Sequence, residues 1–152
     1  MFVGRATAET THGWSEWGMI SISEPYSAFG EAKLLPGWLA IHRSEFHDIE
    51  FEELHEPYVL MTPQHALEIV NFVQATAPNV EGIMVHCKAG ISRSAAVAKW
   101  IAEIYQLPFN HAYDYYNKHV YKMLAEASKK KPGHYDDYIS RFWWGITPGC
   151  GI

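Results

Sequence analysis

The run His86-Cys87-Lys88-Ala89-Gly90-Ile91-Ser92-Arg93-Ser94-Ala95 constrains this chain more tightly than any other segment. It follows Ile83-Met84-Val85, a short apolar stretch bounded upstream by Asn79 and Gly82, which is the pattern of a buried strand. From Ser94 the residues become good helix formers with few breakers, through Tyr105. The loop between them therefore joins a strand end to a helix start. Unpaired backbone N–H groups and the positive end of the helix dipole converge at such a junction, which suits a dianion. Gly90 gives successive amides the freedom to turn inward around an oxyanion. Arg93 adds a planar fork that takes two oxygens at once, which a lysine does not do.

The field that draws an anion into this loop also favours the thiolate of Cys87. A thiolate there can attack phosphorus and form a phosphocysteine. Ser94 is placed to donate a hydrogen bond to the departing sulfur, and His86 to orient the loop through backbone contacts rather than to act as a base. The phosphate-binding segment is then Lys88, Ala89, Gly90, Ile91, Ser92 and Arg93. Two plainer readings compete. A cysteine at a strand end often serves packing alone. A His-Cys pair can also hold a metal, but no CxxC, HxxxH or second clustered pair accompanies it. Neither accounts for Gly90, Arg93 and Ser94 together, so no metal and no cofactor is expected.

HCKAGISRSA resembles, without a gap, the HCxxGxxRS/T signature of cysteine-based protein tyrosine and dual-specificity phosphatases. The position of the cysteine at 87 fits that superfamily and disfavours the low-molecular-weight tyrosine phosphatases, whose loop lies near the N-terminus. The resemblance extends to Met19-Ile20-Ser21-Ile22-Ser23-Glu24-Pro25, to Phe46-His47-Asp48-Ile49, and to Pro63, His65-Ala66 and Ile69-Val70-Asn71-Phe72-Val73. These segments are similar to a compact bacterial branch of the superfamily, and the likeness covers roughly residues 17 to 105.

A phosphate ester leaves poorly unless its oxygen is protonated, so a general acid is needed. The acidic residues cluster in Ser44-Glu45-Phe46-His47-Asp48-Ile49-Glu50-Phe51-Glu52-Glu53-Leu54-His55-Glu56-Pro57. This stretch follows the apolar Trp38-Leu39-Ala40-Ile41 and precedes Thr62-Pro63, a helix start with proline at its first position. It reads as a loop after a strand, on the same rim as the cysteine loop. The residues alone leave Asp48, Glu50, Glu52 and Glu53 as rivals, or a solvated loop with no role. The resemblance implies Asp48, farther upstream of the cysteine than in many dual-specificity members.

With 152 residues, 48% of them apolar, the chain is long enough to build one domain and a core without disulfides or metal. The expected fold is α/β, a single domain over 1–152 with a mainly parallel central sheet of about four to five strands flanked by helices. Strands are expected near 2–6, 19–23, 38–42 and 83–86. Helices are expected near 63–76, 94–105 and 110–124, the last opening on Asn110 as its cap, and a shorter one near 136–142. Trp143-Trp144 would pin the last helix, and residues 145–152 would form a mobile tail. Lys129-Lys130-Lys131-Pro132-Gly133 reads as a solvated basic turn, less readily as a site for an anionic partner.

A net charge of −5 argues against a general nucleic-acid binder. Lys88, Arg93 and Arg43 can still make a local positive pocket. No run of about 18 apolar residues suggests a membrane span, and Met1-Phe2-Val3-Gly4-Arg5 lacks the apolar core of a signal peptide. Two cysteines, Cys87 and Cys150, make no disulfide framework. The expectation is a cytoplasmic protein acting on a phosphorylated protein or another phosphomonoester, with no nucleic-acid or membrane partner. Nothing in the chain speaks to its oligomeric state. The resemblance implies a phosphoric monoester hydrolase, a protein tyrosine or dual-specificity phosphatase. Alternatives are a non-catalytic phosphate- or phosphopeptide-binding module, the same chemistry on a non-protein phosphate, or a thiol redox enzyme pairing Cys87 with Cys150. Tyr26, Phe29, Trp38, Phe46 and Phe51 are candidates for a slot around a phenyl ring, or for core.

Overall fold

Alternation along the two central strands decides the layers. In β2 (Trp17–Ser23), Ile20 and Ile22 share one buried cluster while Met19 belongs to another. In β4 (Gly82–Cys87), Ile83, Val85 and Cys87 join the first cluster and Met84 the second. Both faces of these strands are covered, as near-continuous apolar strands in parallel sheets require. The computed structural model describes residues 1–53 and 55–129. It contains a four-stranded sheet in the order β1-β4-β2-β3, every neighbouring pair parallel, with β1 at Phe2–Gly4 and β3 at Ala40–Glu45. The protein is thus a single α/β domain with flanking helices, as expected.

Helices α2 (Pro63–Thr76), α3 (Arg93–Ile104) and α4 (Lys118–Lys129) build the larger cluster, through Ile69, Val73, Val97, Trp100, Val120 and Leu124 among others. Each such large side chain fully withdrawn from water contributes about 1.5–3 kcal/mol of transfer free energy. The opposite face is covered by α1 (Arg5–Thr10), through Ala8, and by Leu34 and Trp38. Among the described residues, no helix is long and apolar enough to cross a membrane.

Helix α2 has the expected bounds. Its Thr62 side chain accepts from the His65 amide, and His65 returns the bond to the Thr62 amide, a reciprocal cap ahead of Pro63. Elsewhere the structure corrects the expectation. The first strand stops at Gly4 rather than residue 6, because Arg5 opens α1, a six-residue helix the sequence reading did not include. The third strand runs over Ala40–Glu45, not 38–42. Its register comes from pairing Gly18–Ser23 with Ala40–Glu45. As an edge strand it leaves Ile41 exposed, so its apolar run is a poor guide to its limits.

The expected helix over 110–124 begins only at Lys118. Asn110 does not cap it. The Asn110 side chain accepts from the Ala112 amide and its carbonyl from the Tyr113 amide, closing a turn instead. Asn117 is the true cap, its Oδ1 accepting the Val120 amide at 2.9 Å. The helix expected near 136–142, Trp143-Trp144, Cys150, the 145–152 tail and the basic run beyond Lys129 lie outside the described residues.

Candidate active site

Cys87 ends β4 and Arg93 opens α3, so residues 88–92 form the loop at the carboxyl edge of the sheet, where parallel sheets bind ligands. Gly90 makes the turn with a φ of +73°, and a Cβ there would lie 2.2 Å from the Gly4 nitrogen. Both facts require glycine. Three loop carbonyls are engaged from outside: Lys88 O by the Arg5 amide, Ile91 O by the Tyr113 hydroxyl, and Ser92 O by the Ala96 and Asn117 amides. A planar trans peptide points the next N–H opposite to its carbonyl, so these three outward bonds turn the amides of Ala89, Ser92 and Arg93 toward the inside, as in an anion-binding nest.

The Cys87 thiol is free and buried, and its Sγ lies 3.2 Å from Ser94 Oγ. The neighbouring His86 points to the opposite face of the sheet, where Nε2 meets Ser21 Oγ at 2.7 Å. Burial pushes the His86 pKa down to about 4, with the charges of Arg5 and Arg43 acting in the same direction. His86 is therefore a neutral strut beneath the loop at physiological pH.

Arg93 is 2% exposed, and its guanidinium is fixed from two sides. Nη1 donates to Phe46 O at 2.7 Å, and Nη2 donates to Glu24 Oε1 at 3.2 Å. Nε is buried without a hydrogen-bond acceptor among the described residues and faces Asp48 Oδ2 at 4.0 Å. A buried guanidinium N–H left open in this way is costly unless something anionic completes it. Glu24 also takes Lys88 Nζ at 3.4 Å, so one carboxylate spans both cations of the loop.

Of the four acidic rivals in the 44–57 loop, Asp48 is the one brought to the cysteine loop. Its Oδ1 accepts Ser92 Oγ at 2.7 Å and Asn117 Nδ2 at 2.9 Å. Glu50 is tied to the Lys118 amide at the start of α4, and Glu52 and Glu53 are exposed farther along. Ser92, at the head of α3, makes no side-chain bond to its own helix, because its hydroxyl is spent on Asp48. Arg43 does not join this pocket; it binds Ala32 O and Glu31. The aromatic candidates divide. Phe46 is core and Trp38 packs under the opposite face, whereas Tyr26, Phe29 and Phe51 are exposed.

A buried thiol beside a hydroxyl, a loop closed by an arginine and a carboxylate over its rim form an arrangement with the chemistry to take a tetrahedral dianion. The model of the dual specificity phosphatase catalytic domain matches residues 32–131, about two thirds of the chain. The chain belongs to this family. That places it in the cysteine-based protein tyrosine phosphatase superfamily, with phosphorylated molecules as its substrates in general. No curated protein and no solved structure matches the chain.

Several parts of this dual specificity phosphatase site lie outside the motif that announced it. Ser21, Glu24 and the Arg5 amide precede the matched residues altogether, and Asn117 follows the motif at a distance. Glu24 stands in the Ser23-Glu24-Pro25 segment quoted above, but a lone glutamate before a proline carries no sign that it will meet an arginine. The one signal for Asn117 was its residue type just ahead of a helical pattern, a signal that Asn110 shared.

Proposed function

We propose that this phosphatase acts on phosphorylated protein side chains, phosphotyrosine foremost, through a phosphocysteine intermediate. The observation that carries this reading is the open Nε of Arg93, buried between the cysteine loop and Asp48. It supports a phosphoryl group bound with two oxygens on Arg93 and the remainder on the amides of Lys88, Ala89, Gly90, Ile91 and Ser92. The Cys87 thiolate attacks phosphorus in line. The bond from phosphorus to the leaving oxygen breaks, and Asp48 gives that oxygen its proton. A water then attacks the phosphocysteine, Asp48 takes the water's proton, and the sulfur leaves as thiolate with the Ser94 hydroxyl hydrogen-bonded to it. The amides and Arg93 hold the spread negative charge throughout.

The exposed rings of Tyr26, Phe51 and Tyr115 stand on three loops around the same edge of the sheet, which supports an aromatic phosphoester. The chemistry also requires reduced Cys87, which fits a cytoplasmic protein.

Phosphate release from matched phosphotyrosine, phosphoserine and phosphothreonine peptides tests the reading, with wild type and Cys87→Ser side by side. Turnover of the phosphotyrosine peptide that vanishes in Cys87→Ser is expected. Binding of the peptides without release would instead support a phosphopeptide-binding module, and release from non-protein phosphates alone would move the substrate class.

A further inference from the structure

Asn117 is 2% exposed and uses every hydrogen-bonding group it has. Its backbone N–H donates to Ser92 O at 3.2 Å, and its carbonyl accepts the Tyr121 amide at 3.2 Å. The side-chain Oδ1 accepts the Val120 amide as the cap of α4. The side-chain Nδ2 donates to Asp48 Oδ1 at 2.9 Å and to Ile49 O at 3.1 Å. The cap fixes which way the amide faces: with the oxygen held by the helix, the NH₂ must point at Asp48.

The consequence falls on Asp48. Its Oδ1 receives two donors, Asn117 Nδ2 and Ser92 Oγ. An oxygen that accepts twice is a poor place for the acid's own hydrogen. The proton of a protonated Asp48 is directed to Oδ2, the oxygen 4.0 Å from Arg93 Nε and nearest the phosphate site. Capping α4 does not require this arrangement, since serine, threonine or aspartate caps a helix as well as asparagine does. Asparagine carries its donor on an atom separate from the cap oxygen, so it caps the helix and reaches the Asp48 carboxylate at the same time.

We infer that Asn117 is a positioning residue for the general acid, selecting the oxygen from which Asp48 delivers its proton and locking the acid loop to α4. This rests on the reading of the protein as a phosphatase with Asp48 as its acid.

The test compares phosphotyrosine peptide with nitrophenyl phosphate, whose phenol leaves with little help from an acid. Asn117→Ser keeps a cap acceptor but removes the amide NH₂ that reaches Asp48, its hydroxyl being shorter; Asn117→Asp keeps the shape and the cap acceptor and sets a second carboxylate oxygen against Asp48. Both are expected to lose roughly tenfold to 10²-fold in kcat/KM on phosphotyrosine, part of the 10²–10⁴ a general acid supplies, and far less on nitrophenyl phosphate, since kcat/KM leaves out the phosphocysteine hydrolysis that the two substrates share. Added to Asp48→Asn, Asn117→Ser is expected to cost little more, because the two act as one unit. Equal losses on both substrates, losses that multiply in the double variant, or no loss at all would overturn the inference. A wild-type protein inert toward both substrates would remove the phosphatase reading itself, and this inference with it.

Discussion

Arg93 shows how much one side chain is asked to do in this site. One N–H holds the carbonyl of Phe46, a second holds Glu24, and Nε has no acceptor among the described residues. A lysine has neither the planar fork nor the number of fixed donors, so Arg93→Lys is expected to lower kcat/KM for a phosphotyrosine peptide by about 10²-fold or more. The proposed acid is tested in the same way. Asp48→Asn is expected to lose about 10²–10⁴ in kcat on the same peptide, while Glu50→Gln stays within a few-fold, because Glu50 is bound to the Lys118 amide at the start of α4 and not to the cysteine loop. Steady-state kinetics on the purified variants checks both. A large loss in Glu50→Gln with little in Asp48→Asn would reassign the acid.

At the scale of elements, the site depends on helices whose ends are well made. Thr62 and His65 satisfy each other's amides at the start of α2, where the His65 ring packs on Phe46. Thr62→Ala is expected to cost about 1 kcal/mol of stability while leaving kcat unchanged, as denaturant melts and phosphate release would show. This cap was legible in Thr62-Pro63 because capping is a contest among neighbours in sequence. The start of α4 was not, since Asn110 and Asn117 both have the right chemistry. Asn110 is drawn into a turn with Ala112 and Tyr113, and Asn117 is chosen by its bonds to Ser92 and the acid loop. Only packing separates the two.

The whole molecule responds to pH through His86, which joins β4 to β2 at Ser21 beneath the loop. Burial holds its folded pKa at about 4, below the value near 6.5 of an unfolded histidine. The unfolded chain therefore binds the proton first. This contribution to stability is complete above pH 6.5 and is lost as pH falls from there toward 4. It amounts to about 3 kcal/mol in full, roughly 2 kcal/mol of it gone by pH 5. Urea melts at pH 7.5 and pH 5 should show a smaller acid loss in His86→Gln than in wild type. Equal losses in the two proteins would mean that His86 is not held neutral.

What the sequence determined by itself is whatever a few adjacent residues decide. A strand ending in Cys87, a turn only Gly90 makes, a helix opening at Arg93 and Ser94, and the capped start of α2 are all local, and so was the membership they announced. The tertiary structure decided the partners: Glu24 on Arg93, Ser92 and Asn117 on Asp48, and thereby which of four acidic residues meets the loop. These pairs are 44 to 69 residues apart in the chain. Nothing in the neighbourhood of either member encodes the other, because the parallel register of β2, β3 and β4 is what brings their carboxyl ends to a common edge. Short-range chemistry can be read along the chain. A hydrogen bond between distant loops exists only after the sheet beneath them has formed.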